Sequence, residues 1–165
     1  MSVSTADLCD LFAELIVTGQ LAVMEGAWQW FGRLRAFSGR IQTLEARGCN
    51  GELRDLLRQP GKGQVLVIDS GGHRGALLGD NLASLARSND WAGVLVSGNI
   101  RDISALASID LGMLATGSWP VRSRNETGGA VGIPLTLGGV TVTPAHWIYA
   151  DEDGVLISKH ELSAA

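Results

Sequence analysis

Charge is scarce in this chain, and basic charge scarcest. Thirteen lysines and arginines stand against 17 aspartates and glutamates in 165 residues, for a net charge of −4. Nucleic-acid binding draws on a basic face that displaces counterions, and no such footprint is legible, so no direct nucleic-acid partner is expected. Small anions stay open as ligands, because they need a local positive site and not a positive protein. Cysteine is nearly absent: Cys9 and Cys49 sit in no paired motif, which argues against a disulfide scaffold or a zinc knuckle. No apolar run approaches the ~20 residues of a membrane span. The opening "MSVSTADLCD" lacks the basic-then-apolar order of a signal peptide. A soluble cytoplasmic protein without membrane contact is the expectation. Also missing are G-x-G-x-x-G, a Walker lysine and G-x-S-x-G. Dinucleotide and methyltransferase readings therefore have poor support, and no motif marks a serine nucleophile.

What is present is apolar. Forty-five per cent of residues are hydrophobic and 18% charged, which excludes a disordered chain. The length suits one domain with a core of its own. Residues 4–17 predict a helix with Leu8, Leu11, Phe12, Leu15 and Ile16 on one face and Ser4 or Thr5 as cap. Gly39 to Ala46 predicts a strand, and 51–59 a short helix stopped by Pro60. "QVLVID" (64–69) and "GVLVS" (93–97) are continuous apolar runs, the pattern of strands buried on both faces. Between them, Ala76 to Asn89 reads as a helix with Leu78, Leu82, Leu85 and Ala86 inward. A short helix follows Asp102, with Ile103 and Leu106 inward, then a strand in "LGMLATG". After Pro120, short β-rich runs alternate with glycine pairs, prolines and "DEDG", as in antiparallel hairpins. The fold class expected is α/β, with a mixed sheet and an additional β layer.

Several residues could carry chemistry, and each also has a plain reading. The turn "SGGHRG" could offer N–H groups to an anion, or be only a tight turn. Asp80 could serve a site, or be a solvated first-turn acid favoured by the helix dipole. Arg101 and Asp102 lie just past the carboxyl end of the 93–97 strand, where open α/β sheets bind ligands. Gly98 would allow close backbone approach there. Asp102 could equally cap the next helix, and Arg101 be a surface charge. His73 could touch the site; His146 reads as a packed, hydrogen-bonded residue, and the acids at 151–153 as a hairpin turn before Gly154.

Five collinear blocks decide more than any single residue. "TADLCD", "GKGQVLVIDSGGHRGALLGDNLASLA", "DWAGVLVSGNIRD", "DLGMLATGSWP" and "WIYADEDGVLIS" resemble the RraA-like family in order and spacing, over nearly the whole chain. That family includes class II 4-hydroxy-4-methyl-2-oxoglutarate aldolases and regulators of ribonuclease E activity. The resemblance implies a single RraA-like domain over 1–165, a layered β/β/α sandwich like the swivelling domains. Its aldolases are similar in carrying an aspartate, twenty intervening residues, then Arg-Asp, and Asp80, Arg101 and Asp102 keep that spacing. By resemblance, Arg101 and Asp80 are catalytic, Gly79, Asp80, Asn81, Leu82 and Arg101 bind substrate, and Asp102 is the metal ligand. Regulatory members can lack the second acid of the doublet, so its presence favours an enzyme.

The implied chemistry cleaves 4-hydroxy-4-methyl-2-oxoglutarate to pyruvate, or decarboxylates oxaloacetate, through a pyruvate enolate. No lysine stands at a plausible Schiff-base position, so a divalent cation is implied as electron sink, Mg²⁺ first and Mn²⁺ second. The resemblance also implies a small 2-oxo diacid substrate and a homotrimer, sometimes paired into a hexamer, with Trp28 or Trp30 as exposed interface anchors. The rival reading is a non-catalytic regulator that binds a ribonuclease E or a DEAD-box helicase. Two departures stand out. Many members read "EDN" where this chain reads "GCN", Gly48 to Asn50. Longer aldolases have a C-terminal extension that lends an acid to a neighbouring subunit's site; this chain ends soon after "DGVLIS", so the resemblance does not by itself imply full aldolase efficiency.

Overall fold

The apolar runs of the middle third lie side by side as parallel strands. The computed structural model describes residues 3–163. The N-terminal part holds α1 (Thr5–Leu11), α2 (Ala13–Val17), β1 (Leu21–Val23) and β2 (Gln29–Trp30). The middle runs β3 (Phe37–Glu45), α3 (Gly51–Leu57), β4 (Val65–Asp69), α4 (Asp80–Ser88), β5 (Gly93–Ile100), α5 (Ile103–Leu106) and β6 (Gly112–Ser118). The remainder is β7 (Ala130–Val131), β8 (Leu135–Leu137), β9 (Val140–Val142), β10 (Trp147–Ala150) and β11 (Val155–Ser158). Across the main sheet the order is β1-β11-β10-β3-β4-β5-β6-β2, with β7 paired to the end of β3. Strands β3 to β6 are parallel and their flanks antiparallel, so the sheet is mixed.

Strand alternation explains why β4 and β5 read as unbroken apolar runs. Leu66, Ile68, Val94 and Val96 point into one core with α3, α4 and α5, through Leu53, Leu57, Ala83, Ala86 and Leu106. Val65, Val67 and Leu95 point the other way, into a core closed by the β8–β9 hairpin with Leu135, Leu137 and Val142. The sheet thus sits between a helical layer and a small β layer, and neither of its central faces meets water.

Four local expectations differ from the structure. The first helix breaks at Phe12 (φ −116°, ψ 32°), so only Leu8 of its stripe is fully buried, while Leu11 and Ile16 are exposed. The helix expected from Ala76 begins at Asp80, because residues 76–78 stay extended and bridge to Arg122 and Ile100. Ile103 is exposed, whereas Leu106 is buried as expected. Trp28 and Trp30, expected to be exposed, are half-buried and pack against the hairpin-side core. No helix among the described residues is long and apolar enough to cross a membrane.

Candidate functional site

The twenty residues between Asp80 and Arg101 make one round trip through the fold. α4 leads away from the carboxyl edge of the sheet and β5 returns to it. The extended stretch before α4 then runs beside the end of β5: Leu77 N–H donates to Asn99 O (2.9 Å), Arg101 N–H donates to Leu78 O (3.0 Å), and Leu78 bridges Ile100. This short ladder brings Gly79 and Asp80 against Arg101 and Asp102. The Asp80 N–H donates to Asp102 Oδ2 at 3.2 Å. A Cβ at Gly79 would collide with that same carboxylate oxygen, so glycine is required by contact rather than by dihedral.

Asp102 sits at the N-cap position of α5 but does not cap it. Its backbone is left-handed (φ 62°, ψ 40°), and its side chain makes no bond to the first turn of that helix. The carboxylate turns toward α4 instead. Asp80 is half-buried, and its Oδ1 accepts the Asn81 N–H at 2.8 Å, which leaves Oδ2 open. Arg101 is tethered through Nη1 to Pro120 O (3.3 Å), with its other N–H groups available. The start of α4 has no side-chain cap, so amide N–H groups at Gly79–Leu82 face a place that favours negative charge.

All of the residues singled out above by resemblance, Gly79, Asp80, Asn81, Leu82, Arg101 and Asp102, line one cleft of about 220 Å³. Asn50, Arg54 and Arg122 line it as well, and sequence reasoning passed over them. Asn50 ends the "GCN" departure; it is 9% exposed, and its Oδ1 has no hydrogen-bond partner. Arg54 follows one turn later on α3, its N–H bonded to Asn50 O. Arg122 rides on a ribbon, residues 121–124, threaded between the start of α3 and the stretch before α4. Ala76 N–H donates to Val121 O and Ser123 N–H to Ala76 O (both 2.8 Å). Arg124 N–H donates to Gly48 O and Asn50 N–H to Arg124 O (both 3.0 Å). The ribbon passes so close to Gly75 that a Cβ there would lie 2.8 Å from Ser123 Cα. Farther along, Glu52 accepts the Gly128 N–H at 2.7 Å. Burial acts to raise the Glu52 pKa, but the amides of Gly128, Glu52 itself and Gly129 outweigh it and hold the group below the usual carboxylate range.

Other candidates lie outside the cleft. His73 is exposed, lines a separate shallow crevice with Ser70, Gly72 and Asn99, and does not reach the cleft wall. Gly98 faces the same crevice at a register shift in β5, where a Cβ would meet Ser70 at 2.7 Å; its task is packing. His146 is packed as expected: its Nδ1 accepts the Thr143 N–H, and burial, with Lys159 and His160 nearby, lowers its pKa. Residues 151–154 form the β10–β11 turn. No group of three or more His, Cys, Asp or Glu suited to a metal occurs among the described residues.

A family model described as RraA-like, Aldolase/RraA, matches residues 5–157. The chain belongs to the RraA-like family. One relative, from Aromatoleum aromaticum, is 45% identical over 98% of this chain and 99% of its own, and its name, 4-hydroxy-4-methyl-2-oxoglutarate aldolase, is provisional. Among solved structures, the RNA-processing inhibitor RraA from Thermus thermophilis superposes with TM-score 0.91 at 38% identity, covering 100% of this chain and 98% of that one. A Geobacillus kaustophilus structure described as an S-adenosylmethionine:2-dimethylmenaquinone methyltransferase gives 0.92 at 40% identity, with 99% of both chains covered. RraA-like chains thus carry enzyme and regulator names on one fold.

Proposed function

We propose that this protein is a divalent-metal-dependent lyase that cleaves 4-hydroxy-4-methyl-2-oxoglutarate into two pyruvates and decarboxylates oxaloacetate. The observation that carries the reading is the convergence of Asp80, Arg101, Asp102 and the start of α4 on one cleft. The donor set fits a hard cation: Asp102 offers a carboxylate at the cleft with one oxygen free, and its neighbours are water-accessible. Mg²⁺, or Mn²⁺ in its place, accepts one carboxylate with water and substrate oxygens as the remaining ligands, so no protein-built cage is needed. When bound, the cation supplies Lewis acidity toward the 2-oxo group of the substrate.

The chain's own residues do the rest. Arg101 presents its untethered N–H groups to the substrate's 1-carboxylate and to the 2-oxo oxygen as negative charge grows there. Asp80, with one oxygen held by the Asn81 N–H, orients a water through the other. That water takes the proton of the 4-hydroxyl; the C3–C4 bond breaks, its electron pair passes into the 2-oxo group, and the water returns a proton to C3. The Asp80 and Asn81 amides are held by the Asp102 and Asp80 carboxylates, so the Gly79 and Leu82 amides at the helix start are the ones that add donors beside Arg101 for the 1-carboxylate. No lysine lines the cleft, so an imine route has no amine there. We place the protein in the cytoplasm, as a homotrimer or paired trimers, in line with the family resemblance.

Purified protein, assayed with both substrates and Mg²⁺ with and without chelator, is expected to release pyruvate only with metal, and Arg101→Ala to remove most of it. Absence of metal-dependent release from either substrate would sink the reading. The similarity to the RNA-processing inhibitor from Thermus thermophilis supports a second reading, a regulator that binds a ribonuclease E or a DEAD-box helicase. Pull-down that persists in Asp102→Ala, with a parent lacking lyase activity, would favour it.

A further inference from the structure

The lyase chemistry occupies Asp80, Arg101 and Asp102 and leaves two guanidinium groups of the same cleft without a task. We propose that Arg54 and Arg122 form a clamp for a second, distal carboxylate and make this cleft select 2-oxo diacids over 2-oxo monoacids. The inference rests on the lyase reading for which end of the acid meets Arg101.

Charge placement argues for it. The chain as a whole carries −4, yet the cleft wall holds three arginines against two aspartates. Three of the eleven arginines lie in ion pairs, Arg33 with Asp110, Arg47 with Glu45 and Arg58 with Asp55, and what sets Arg54 and Arg122 apart from the other unpaired ones is that they face one cleft with Arg101. Arg54 and Arg122 have no carboxylate within ion-pair distance among the described residues. Arg54 is half-buried, where an uncompensated guanidinium is costly unless a ligand supplies the counter-charge. Arg122 is exposed to water at the cleft mouth, and the two guanidinium groups together present forked donors that match a carboxylate in bidentate fashion, which a lysine would not.

Rigidity argues for it too. The residues on both sides of Arg122 are hydrogen-bonded to Ala76, Gly48 and Asn50, so its backbone is fixed before any ligand arrives. Arg54 stands on α3 beside Asn50, whose buried, unpartnered Oδ1 marks this end of the cleft as built to meet a polar ligand. Asn50 Oδ1 accepts rather than donates, so it suits a hydroxyl or a water, and the anion falls to the arginines. A cleft of about 220 Å³ suits a short acid and not a nucleotide-sized ligand.

The test compares 2-oxoglutarate with 2-oxopentanoate, which share a chain length and differ in whether the far end is a carboxylate or a methyl. Neither carries a 4-hydroxyl, so neither is cleaved, and equilibrium affinity is read by calorimetry with Mg²⁺ present. The parent is expected to prefer the diacid at least tenfold. Arg54→Gln and Arg122→Gln should each cut the diacid's affinity about ten- to a hundredfold while leaving that for the monoacid unchanged. Circular dichroism confirms that both variants remain folded. Equal affinities in the parent, no diacid binding, or variants that lose both acids alike would overturn the clamp. Turnover of oxaloacetate by the same preparations separates the two ideas. Lyase activity without diacid preference defeats the clamp alone, and preference without turnover leaves the clamp standing while the lyase reading falls.

Discussion

One missing methyl group keeps the two acids of the cleft together. Gly79 has φ −134° and ψ −161°, an extended conformation that alanine adopts freely. Its hydrogen is needed because the Asp102 carboxylate occupies the space of a Cβ. Gly79→Ala should therefore fold with little change in stability, a Tm within about 4 °C of the parent. The added methyl would push Asp102 off the Asp80 N–H and away from its place at the cleft. Misplacement of an ångström or so in a reacting group costs roughly a hundredfold in rate. Pyruvate release from oxaloacetate should fall by about that factor, and a variant of parental activity would show that the carboxylate's position is not needed. Asp102 itself illustrates why residue-level reading was ambiguous. Its position after a strand and before a helix predicts a cap, and its left-handed backbone, which no sequence pattern announces, turns the side chain the other way.

At the scale of elements, the same kind of carboxylate docks the N-terminal helix. Asp151, in the β10–β11 turn, accepts the Thr5 N–H at 2.7 Å and the Thr5 hydroxyl at 2.6 Å. Burial acts to raise its pKa, but the Thr5 hydroxyl, the Thr5 amide and the amides of Asp153 and Gly154 outweigh it and hold the group below the usual aspartate value. A depressed folded pKa contributes stability that is fully present above the unfolded pKa and is lost as pH falls through the folded one. Docking of α1 should therefore weaken only in acid, below the ordinary titration range of aspartate. Followed by NMR, the Thr5 amide resonance is expected to titrate with a midpoint under that of an exposed aspartate, and Asp151→Ala to abolish the titration; a midpoint at the ordinary value would remove the argument. This contact was not legible in the sequence, where residues 151–153 read only as a turn, because its partner lies 146 positions away. Strands β4 and β5 were legible, since burial on both faces leaves no polar position to interrupt the run. The start of α4 differs for a related reason: Ala76–Leu78 are as apolar as a helix stripe, but they run extended, Ala76 bonded to the 121–124 ribbon and Leu77 and Leu78 to the end of β5.

At the scale of the whole molecule, the cleft belongs to no single segment. Its wall draws on residues near 50, 80, 101 and 122, which meet only once the parallel strands and the 121–124 ribbon are in place. The Asp80–Arg101–Asp102 part was legible only through the family resemblance, which carries that spacing; singly, Asp80 reads as a helix-face charge and Asp102 as a cap, although one helix and one strand alone separate them. Arg54 and Arg122 were not legible, being ordinary charges in sequence until the ribbon crosses α3; the "GCN" departure at 48–50 was the signal nearest to them. A site assembled this way exists only in the folded state, so ligands must raise thermal stability by mass action. Oxalate, a non-reacting mimic of an enolised pyruvate, supplied with Mg²⁺ at about a hundred times its Kd should add roughly 2.7 kcal/mol. For a chain of this size that corresponds to a Tm rise of about 5–10 °C. Asp102→Asn retains the size of the side chain and its ability to accept the Asp80 N–H, and removes the charge that would hold the cation. It should melt near the parent without ligand and show little or no rise with Mg²⁺ and oxalate together. A full rise in Asp102→Asn would place the cation elsewhere, and no rise in the parent would deny the cleft this ligand.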